Sequence, residues 1–514
     1  MSSTADLLLH NATVITMDTA KPRAAMVAVK GNRILKVGSP EDIPSCQGPA
    51  TRLIDCQGKT ILPGFIDAHC HPLALASQLL SVDCGPRAVR SITDIQDRIR
   101  QRAAQNPKGD WIRATGYHEF YLDEERHPHR WDLDQAAPDH PVKLTHQSGH
   151  ACVLNTIALK RLNITGETPE PEGAIMDRDL DSGEPNGLFF EMNAHIDSLM
   201  PPLSATDLER GAEMSDREFL SHGTTSIQDA TWGDPIRRWH SFHSLQARGK
   251  FRPRVSMMIG MDDLAEWEAA ALKPSEEAAL RQNGVKLVIQ TTTGSLSPSQ
   301  EELNRFVLEA HRRGYQVAMH AVELESVAAA VTALEYALRH EPRTGHRHRI
   351  EHCSVCPPPL MQRLKSIGAM VVTQPPFIYY NGDRYLATVA PEEQPWLYSI
   401  GSLRAAGVTV AGSSDAPVVP LSPLTGICAA VTRLTRTKQV LNRKEAISTL
   451  EALALYTTGG ALSSFEENTR GSVTEGKLAD LVILNEDPTA VPPEQLKELE
   501  VLMTILDGRV VWQK

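Results

Sequence analysis

The 514-residue sequence predicts an α/β fold: a (β/α)8 TIM-type barrel, a small composite β-sandwich from both termini, and a large insertion after the first barrel strand. Three observations carry that expectation. Eight short apolar runs, most separated by helix-length segments, match the strand count of a closed barrel. Histidines and an aspartate stand where several of those runs stop, and the C-terminal strand ends of such a barrel gather on the rim where catalytic groups sit. The two ends of the chain share a different vocabulary of short strands and tight turns.

Taken in order, residues 6–61 contain Asp6–Thr16, Ala25–Lys30 and Arg33–Val37, the last two joined by Gly31-Asn32, a dipeptide that signals a hairpin. The last fifty residues repeat this pattern in Ala479–Leu484, Val501–Leu506, the turn Asp507-Gly508, and Arg509–Trp512. Neither piece is long enough for a core of its own, so the two are expected to meet in one sandwich built from 1–61 and 466–514.

The barrel is expected over 62–465. Its strands read as Phe65–His69, Thr224–Asp229, Arg254–Ile259, Val285–Ile289, Gln316–His320, Arg349–His352, Met370–Thr373 and Val408–Gly412. Segments such as Pro298–Arg313 and Glu323–Arg339, rich in Ala, Glu and Leu, supply helices between them. The first strand carries Leu62-Pro-Gly-Phe-Ile-Asp-Ala-His-Cys-His-Pro72, in which alternation lets His69 and His71 share a face while Cys70 points away. His320, His352 and Asp415 end later strands or follow them. Imidazoles and a carboxylate are ligands that zinc and related divalent ions take.

Lys286 lies inside the apolar run Gly284–Ile289, where a buried ammonium is costly. Two readings remain open for it: an ion pair with a carboxylate, or a carboxylated amine that bridges two metal ions. The Cys353/Cys356 pair has redox or zinc spacing but no second pair, so it reads as core packing.

Between the first two strands the chain spends roughly 150 residues where a handful is usual. That stretch is expected to form an inserted subdomain over about 75–215 and to shape the substrate pocket. His150, Asn155 and Glu191 are its polar candidates; His127-Pro-His129 and the tract His340–Arg349 read as solvated connections, and Phe377–Tyr380 as a packed loop or a pocket wall.

A net charge of −11 with no long basic run argues against nucleic-acid binding. No apolar stretch approaches the ~20 residues that span a bilayer, and the N-terminus lacks a secretory layout, so a cytoplasmic protein away from the membrane is expected. Eight cysteines in so long a chain do not suggest a disulfide scaffold. The expected partner is a small-molecule substrate, with a homodimer left open.

Taken together, Leu62–His71, Leu133–Pro138, Gly149-His150 with Asn155, Val317–His320, Arg349–His352, Thr373-Gln-Pro375, Gly412–Asp415 and Gly476–Leu481 resemble the metal-dependent amidohydrolases, in the branch that includes the N-substituted formamide deformylases. The resemblance implies that His69 and His71 hold one divalent ion, zinc being expected, and that His320 and His352 hold another. It implies that Lys286, carboxylated, bridges them, and that Asp415 binds the first ion and transfers protons. His150 and Asn155 match positions that shape the pocket. Two departures stand out: Gln290–Ser295 replaces an Asp-Gly usual in this branch, and Tyr117-His118 stands where a tryptophan is more usual, which makes His118 a substrate-binding candidate.

The activity so implied is hydrolysis of an amide-type carbon–nitrogen bond of a small molecule by a metal-activated hydroxide, with Asp415 as proton shuttle. A mononuclear deaminase using His69, His71, His320 and Asp415, or an ester or lactone hydrolase, is the alternative on the same site. A non-catalytic metal-binding scaffold is the reading from outside enzymology.

Overall fold

The computed structural model describes residues 4–171, 173–272, 279–292 and 294–514. The chain divides into two compact units. One comprises Met1–His71, Asp216–Ile289 and Pro298–Lys514, the other Pro72–Ser215 with Gln290–Ser297.

In the first unit eight parallel strands follow one another in the sheet in chain order: Phe65–Cys70, Thr224–Asp229, Arg254–Gly260, Leu280–Val288, Val317–Ala321, Arg349–His352, Met370–Thr373 and Thr409–Gly412. Helices such as Pro235–Ala247, Gln300–Arg312, Leu324–His340 and Pro358–Ile367 make the crossovers that parallel pairing demands. With helices on the outside and packed side chains within, the strands are buried on both faces, which is why they read as near-continuous apolar runs. The first and last strands approach each other beyond their ends: Asp415 N–H donates to His69 O at 2.8 Å and His71 N–H donates to Ala416 O at 2.7 Å.

Local sequence fixes where the helices begin. Ser299 accepts a hydrogen bond from Glu302 N–H while the Glu302 carboxylate takes Ser299 N–H, a capping box that starts Gln300–Arg312. Ser448 and Glu451 do the same for Thr449–Leu455.

The chain ends form two sheets. One holds Leu7–His10, Met26–Lys30, Arg33–Gly38 and Arg52–Asp55; the other joins Thr13–Ile15, Arg23–Ala24 and Thr60–Pro63 to Leu481–Leu484, Val501–Leu506 and Arg509–Gln513. Leu7, Val27, Ile34, Ile61, Leu481 and Ile505 share one apolar core between them. Buried Arg254, at the start of the third barrel strand, donates from Nε to Asp480 Oδ2 at 2.7 Å and from a terminal nitrogen to Oδ1 at 3.2 Å, tying barrel to sandwich.

The second unit is built on a six-stranded sheet in the order Ile175–Arg178, Pro185–Phe190, Ala151–Leu154, Val142–His146, Ile112–Tyr117, Val82–Asp83. Ile95, Ile99, Leu133, Leu144 and Val153 form a core with helices Ile92–Ala103 and Arg130–Ala136.

Three sequence expectations are corrected. Phe377–Tyr380 belongs to a helix, Pro375–Thr388, because Pro375 and Pro376 occupy first-turn positions that need no amide donor. The tract 340–349 is not a solvated connection throughout: His346, His348 and Arg349 are buried. Val317 N–H donates to His348 Nδ1 at 2.9 Å, His348 Nε2 meets His311 Nδ1 at 2.8 Å, and His311 Nε2 meets Glu341 O at 2.7 Å, so each imidazole is satisfied in its neutral form. His127 is also only partly exposed, and Tyr117 Oη lies 3.0 Å from its Nδ1.

Candidate metal centre

The barrel's strand ends bring five of the expected ligands together. Imidazole rings run in an unbroken row: His71 and His69 at 5.5 Å between centroids, His69 and His352 at 4.9 Å, His352 and His320 at 4.4 Å. Asp415 closes the group, its Oδ1 lying 3.4 Å from His69 Nε2 and 3.3 Å from His71 Nε2. Ligand atoms bonded at 2.0–2.2 Å in a tetrahedron sit about 3.3–3.6 Å apart, so these two separations match those between ligands of one cation. His352 Nε2 and Asp415 Oδ1 are buried without a hydrogen-bond partner. Buried polar atoms that nothing in the protein satisfies are what a resident cation would explain, and the residues therefore fit one.

Backbone geometry reinforces the point. His352 and Asp415 both adopt left-handed conformations, with φ of 67° and 57°. Such non-glycine positions cost free energy and persist where the surroundings demand a side-chain direction.

Four of the five candidate ligands are held by a second residue. Glu351 Oε2 takes His69 Nδ1, which directs the Nε2 lone pair toward Asp415, and Arg349 in turn pairs with Glu351, its terminal nitrogen 2.9 Å from Oε2. Gln374 Oε1 meets His352 Nδ1 at 2.7 Å, while Gln374 Nε2 donates to Ser413 Oγ at 3.0 Å and Ser413 Oγ to Thr373 O at 2.9 Å. That chain fixes Nδ1–H of His352 as the donor and leaves Nε2 free to ligate. His71 Nδ1 lies 2.9 Å from Thr231 Oγ1. Asp67 accepts Ser414 N–H at 3.0 Å and the Ser414 hydroxyl, holding the loop that carries Asp415.

Sequence reading missed Glu351, Gln374 and Asp67 as positioning groups. The available signal was that each is polar within or at the end of an apolar barrel strand, where burial demands a partner.

The electrostatics follow from burial. Burial alone favours neutral Asp415, but the approach of His71, with His69 and His352 nearby, overcomes it and holds the carboxyl well below the usual range. Burial, with Lys286 nearby, brings His69 down to about 3, and burial also lowers His352, so both rings are neutral and able to ligate. Burial brings the Lys286 amine down to about 8 against the opposing charges of Glu351 and Asp415. Asp67 is pushed up to about 6, chiefly by burial.

The remaining candidates lie in the inserted unit. His150 Nδ1 and Glu191 Oε2 are 2.9 Å apart, and Glu191 also accepts Gln290 Nε2–H at 2.8 Å and the Thr292 hydroxyl at 3.1 Å. Gln290 and Thr292, from the stretch that departs from the expected Asp-Gly, thus anchor Glu191. Asn155 does structural work instead of facing a substrate: it is fully buried, accepts Val142 N–H at 2.9 Å and Ala158 N–H at 3.0 Å, and donates to His140 O at 2.8 Å. Helix Thr156–Arg161 needs that N-cap, which spends the side chain entirely. His118 joins neither group and lies against Glu119 and His146.

Residues 52–512 match the model of the amidohydrolase family. The chain belongs to that family. This amidohydrolase is 28% identical over 543 residues to an N-substituted formamide deformylase of Arthrobacter pascens, with 100% of this chain and 99% of that one covered. It is 28% identical over 529 residues to the protein YtcJ of Bacillus subtilis (strain 168), covering 98% and 99%. A crystal structure of an uncharacterized metal-dependent hydrolase from Pyrococcus horikoshii OT3 shares the fold, with a TM-score of 0.76, 24% identity, and coverage of 95% of this chain and 99% of that one. The amidohydrolase is accordingly an enzyme, a metal-dependent hydrolase built on a TIM-type barrel. Among the described residues, no helix is long and apolar enough to cross a membrane.

Proposed function

We propose that this amidohydrolase cleaves an amide-type carbon–nitrogen bond of a small molecule, with Asp415 as the proton-transfer group. The observation that carries the reading is the approach of His69 Nε2 and His71 Nε2 to one buried, unsatisfied oxygen of Asp415. His69, His71 and Asp415 would hold one divalent ion, zinc by the chemistry of the ligands, and His320 with His352 would hold a second. When bound, a divalent ion supplies Lewis acidity, which lets water ionise near neutral pH and polarises a carbonyl oxygen.

The protein's own groups then do the following. Glu351 and Gln374 keep the Nε2 lone pairs of His69 and His352 directed inward. Asp415, ionised at neutral pH, accepts a proton from the attacking water and passes it to the departing nitrogen, which cannot leave as an amide anion. Burial raises the share of Lys286 that is neutral, the form that reacts with carbon dioxide; its amine nitrogen would form a bond to the carbon and release a proton, leaving a carbamate anion that could bridge two ions. His150 and Glu191 are kept as substrate-contact candidates, and the similarity to a formamide deformylase makes N-formyl and N-acyl compounds the first class to try.

The test is turnover of N-formyl and N-acyl compounds, cyclic amides and aryl esters by metal-replete protein, with Asp415→Asn alongside. That variant is expected to lose several orders of magnitude in kcat and keep most of its metal. An unchanged rate would move proton transfer to another group.

One observation favours a second reading, a deaminase with a single ion. Among the described residues of the barrel, only His69, His71 and Asp415 form a group of ligand atoms tight enough to share a cation. Metal content decides: two equivalents at the barrel favour the bridged centre, one the mononuclear site.

A further inference from the structure

We propose that the inserted unit carries a metal site of its own, formed by His118, Glu119 and His146 with His127 as a fourth ligand, and that it takes a divalent transition-metal ion of the zinc class. Three imidazole nitrogens converge on one carboxylate oxygen, Glu119 Oε2: His146 Nε2 at 2.9 Å, His118 Nδ1 at 3.3 Å and His127 Nε2 at 3.8 Å. These separations bracket the roughly 3.3 Å expected between tetrahedral zinc ligands. The ligand atoms of His118, Glu119 and His146 all lie within 4.8 Å of one another.

A second, independent observation points to a cation. His146 is 7% exposed, and its Nε2 makes no hydrogen bond; Glu119 Oε2 is likewise buried without one. The two atoms are close, yet the ring is not aligned to donate to the carboxylate. A hydrogen-bonded histidine–glutamate pair would have used that proximity.

The fold explains how distant residues arrive here. Strands Ile112–Tyr117 and Val142–His146 are parallel neighbours, so their C-terminal ends open on the same edge of the sheet. A bulge between Thr115 and Tyr117, with Gly116 at φ 95°, sets Tyr117 opposite His146 and delivers His118 and Glu119 just past the strand end. Next along the chain, Tyr117 Oη at 3.0 Å from His127 Nδ1 turns the other nitrogen of His127 toward Glu119. Ser148 backs His146 on the far side.

Protonation suits the assignment. Burial brings His146 down to about 4, so the ring is neutral at physiological pH. Burial opposes ionisation of Glu119, but the close approach of the His118 and His146 rings keeps its carboxyl well below the usual range. Ser148 N–H lies 3.1 Å from His146 Nδ1 as a donor, which places the ring proton on Nε2. Binding a cation at Nε2 moves that proton to Nδ1, where Ser148 Oγ at 2.8 Å accepts it. The weak 3.3 Å bond from Phe120 N–H to His118 Nδ1 gives way to the metal. A set of imidazoles with one carboxylate selects zinc, cobalt or nickel over magnesium or calcium, which prefer oxygen.

The test counts metal in folded, full-length protein after exposure to zinc and removal of free ion. Glu119→Gln and His146→Ala are each expected to carry one equivalent less than wild type. His71→Ala, which strikes the barrel, should lose barrel metal only and leave the deficit caused by Glu119→Gln unchanged when the two are combined. Cobalt substitution gives a second readout: the visible absorption of the inserted unit's site is kept in His71→Ala, whereas Glu119→Gln loses that part and keeps the barrel's. The Glu119 side chain is 30% exposed, so its variant stays informative should His146→Ala fail to fold. Equal zinc content in wild type and Glu119→Gln, with identical cobalt spectra, overturns the site. Because the count is made without substrate, failure of this proposal and failure of the proposed reaction are separately visible.

Discussion

Glu351 is the residue on which the barrel centre's orientation turns. It lies on the same strand face as Arg349, two residues away, and both are fully buried. Replacing it by Gln leaves the shape intact but removes the charge that balances Arg349 and weakens the grip on His69 Nδ1–H. Outer partners of this kind are worth about 10–100-fold in metal affinity or activity. Glu351→Gln is therefore expected to bind zinc about 10–100-fold more weakly in a competitive chelator titration, with its fold seen unchanged by circular dichroism. That the candidate ligands gather was legible in the sequence because His69, His71, His320, His352 and Asp415 each stand where an apolar run stops. Glu351, Gln374 and Asp67 were not, because their partners come from strands dozens to hundreds of residues away. Asn155 was misread for the same reason: an N-cap and a pocket residue look alike until the helix behind it is seen.

At the scale of elements, the three buried histidines beside the fifth and sixth barrel strands set a pH limit on stability. Burial, aided by the neighbouring His346, His311 and Arg343, holds His348 well below its ordinary 6.5 in the folded protein. In the unfolded chain the same ring takes up a proton once the pH drops to about 6.5. A depressed folded pKa stabilises the fold above the unfolded value and loses that contribution as the pH falls, at about 1.4 kcal/mol per unit below it. Denaturant midpoints are expected to drop between pH 7.5 and 5.5, and the drop should shrink in His348→Asn. Histidine and arginine content had suggested a solvated connection here. The backbone carbonyls of Glu341 and Ile367 and the N–H of Val317 satisfy the rings, and that is information only the packed strands contain.

Arg254 and Asp480 govern how two elements far apart in sequence are joined. Arg254→Ala leaves the Asp480 carboxylate buried with one partner fewer, a loss of about 3–5 kcal/mol by the cost of an uncompensated buried charge. Thermal unfolding of the variant is the measurement. The strand boundaries of the barrel were legible to within a residue at most positions because buried parallel strands are written as apolar runs of fixed length. The fourth strand was an exception, starting at Leu280 where the sequence suggested Val285, since Arg281-Gln-Asn283 interrupts its apolar character.

For the whole molecule, the metal is expected to contribute to stability as well as chemistry, because His69, His71 and Asp415 come from the two opposite ends of the barrel sheet. A ligand that binds only the folded state raises its stability by mass action. Prolonged chelation should lower the melting temperature and abolish turnover together, and zinc should restore both; a melting temperature indifferent to chelation would mean that the centre is rigid without its ion. The overall architecture was readable because chain ends too short to fold alone had to meet. The composition of the inserted unit's core and the histidine cluster at its sheet edge were not, since nothing in the spacing of His118, His127 and His146 announces a shared destination.

The hydrogen bonds from Asp415 to His69 and from His71 to Ala416 place the reactive centre at the seam where the cylinder is sewn shut. A growing polypeptide presents the two histidines early, yet it cannot complete the candidate ligand set until Asp415, far along the chain from His71, has been made. A chain that stops before Asp415 is expected to be inert however well its earlier strands assemble, and assay of such a product tests the part assigned to that carboxylate.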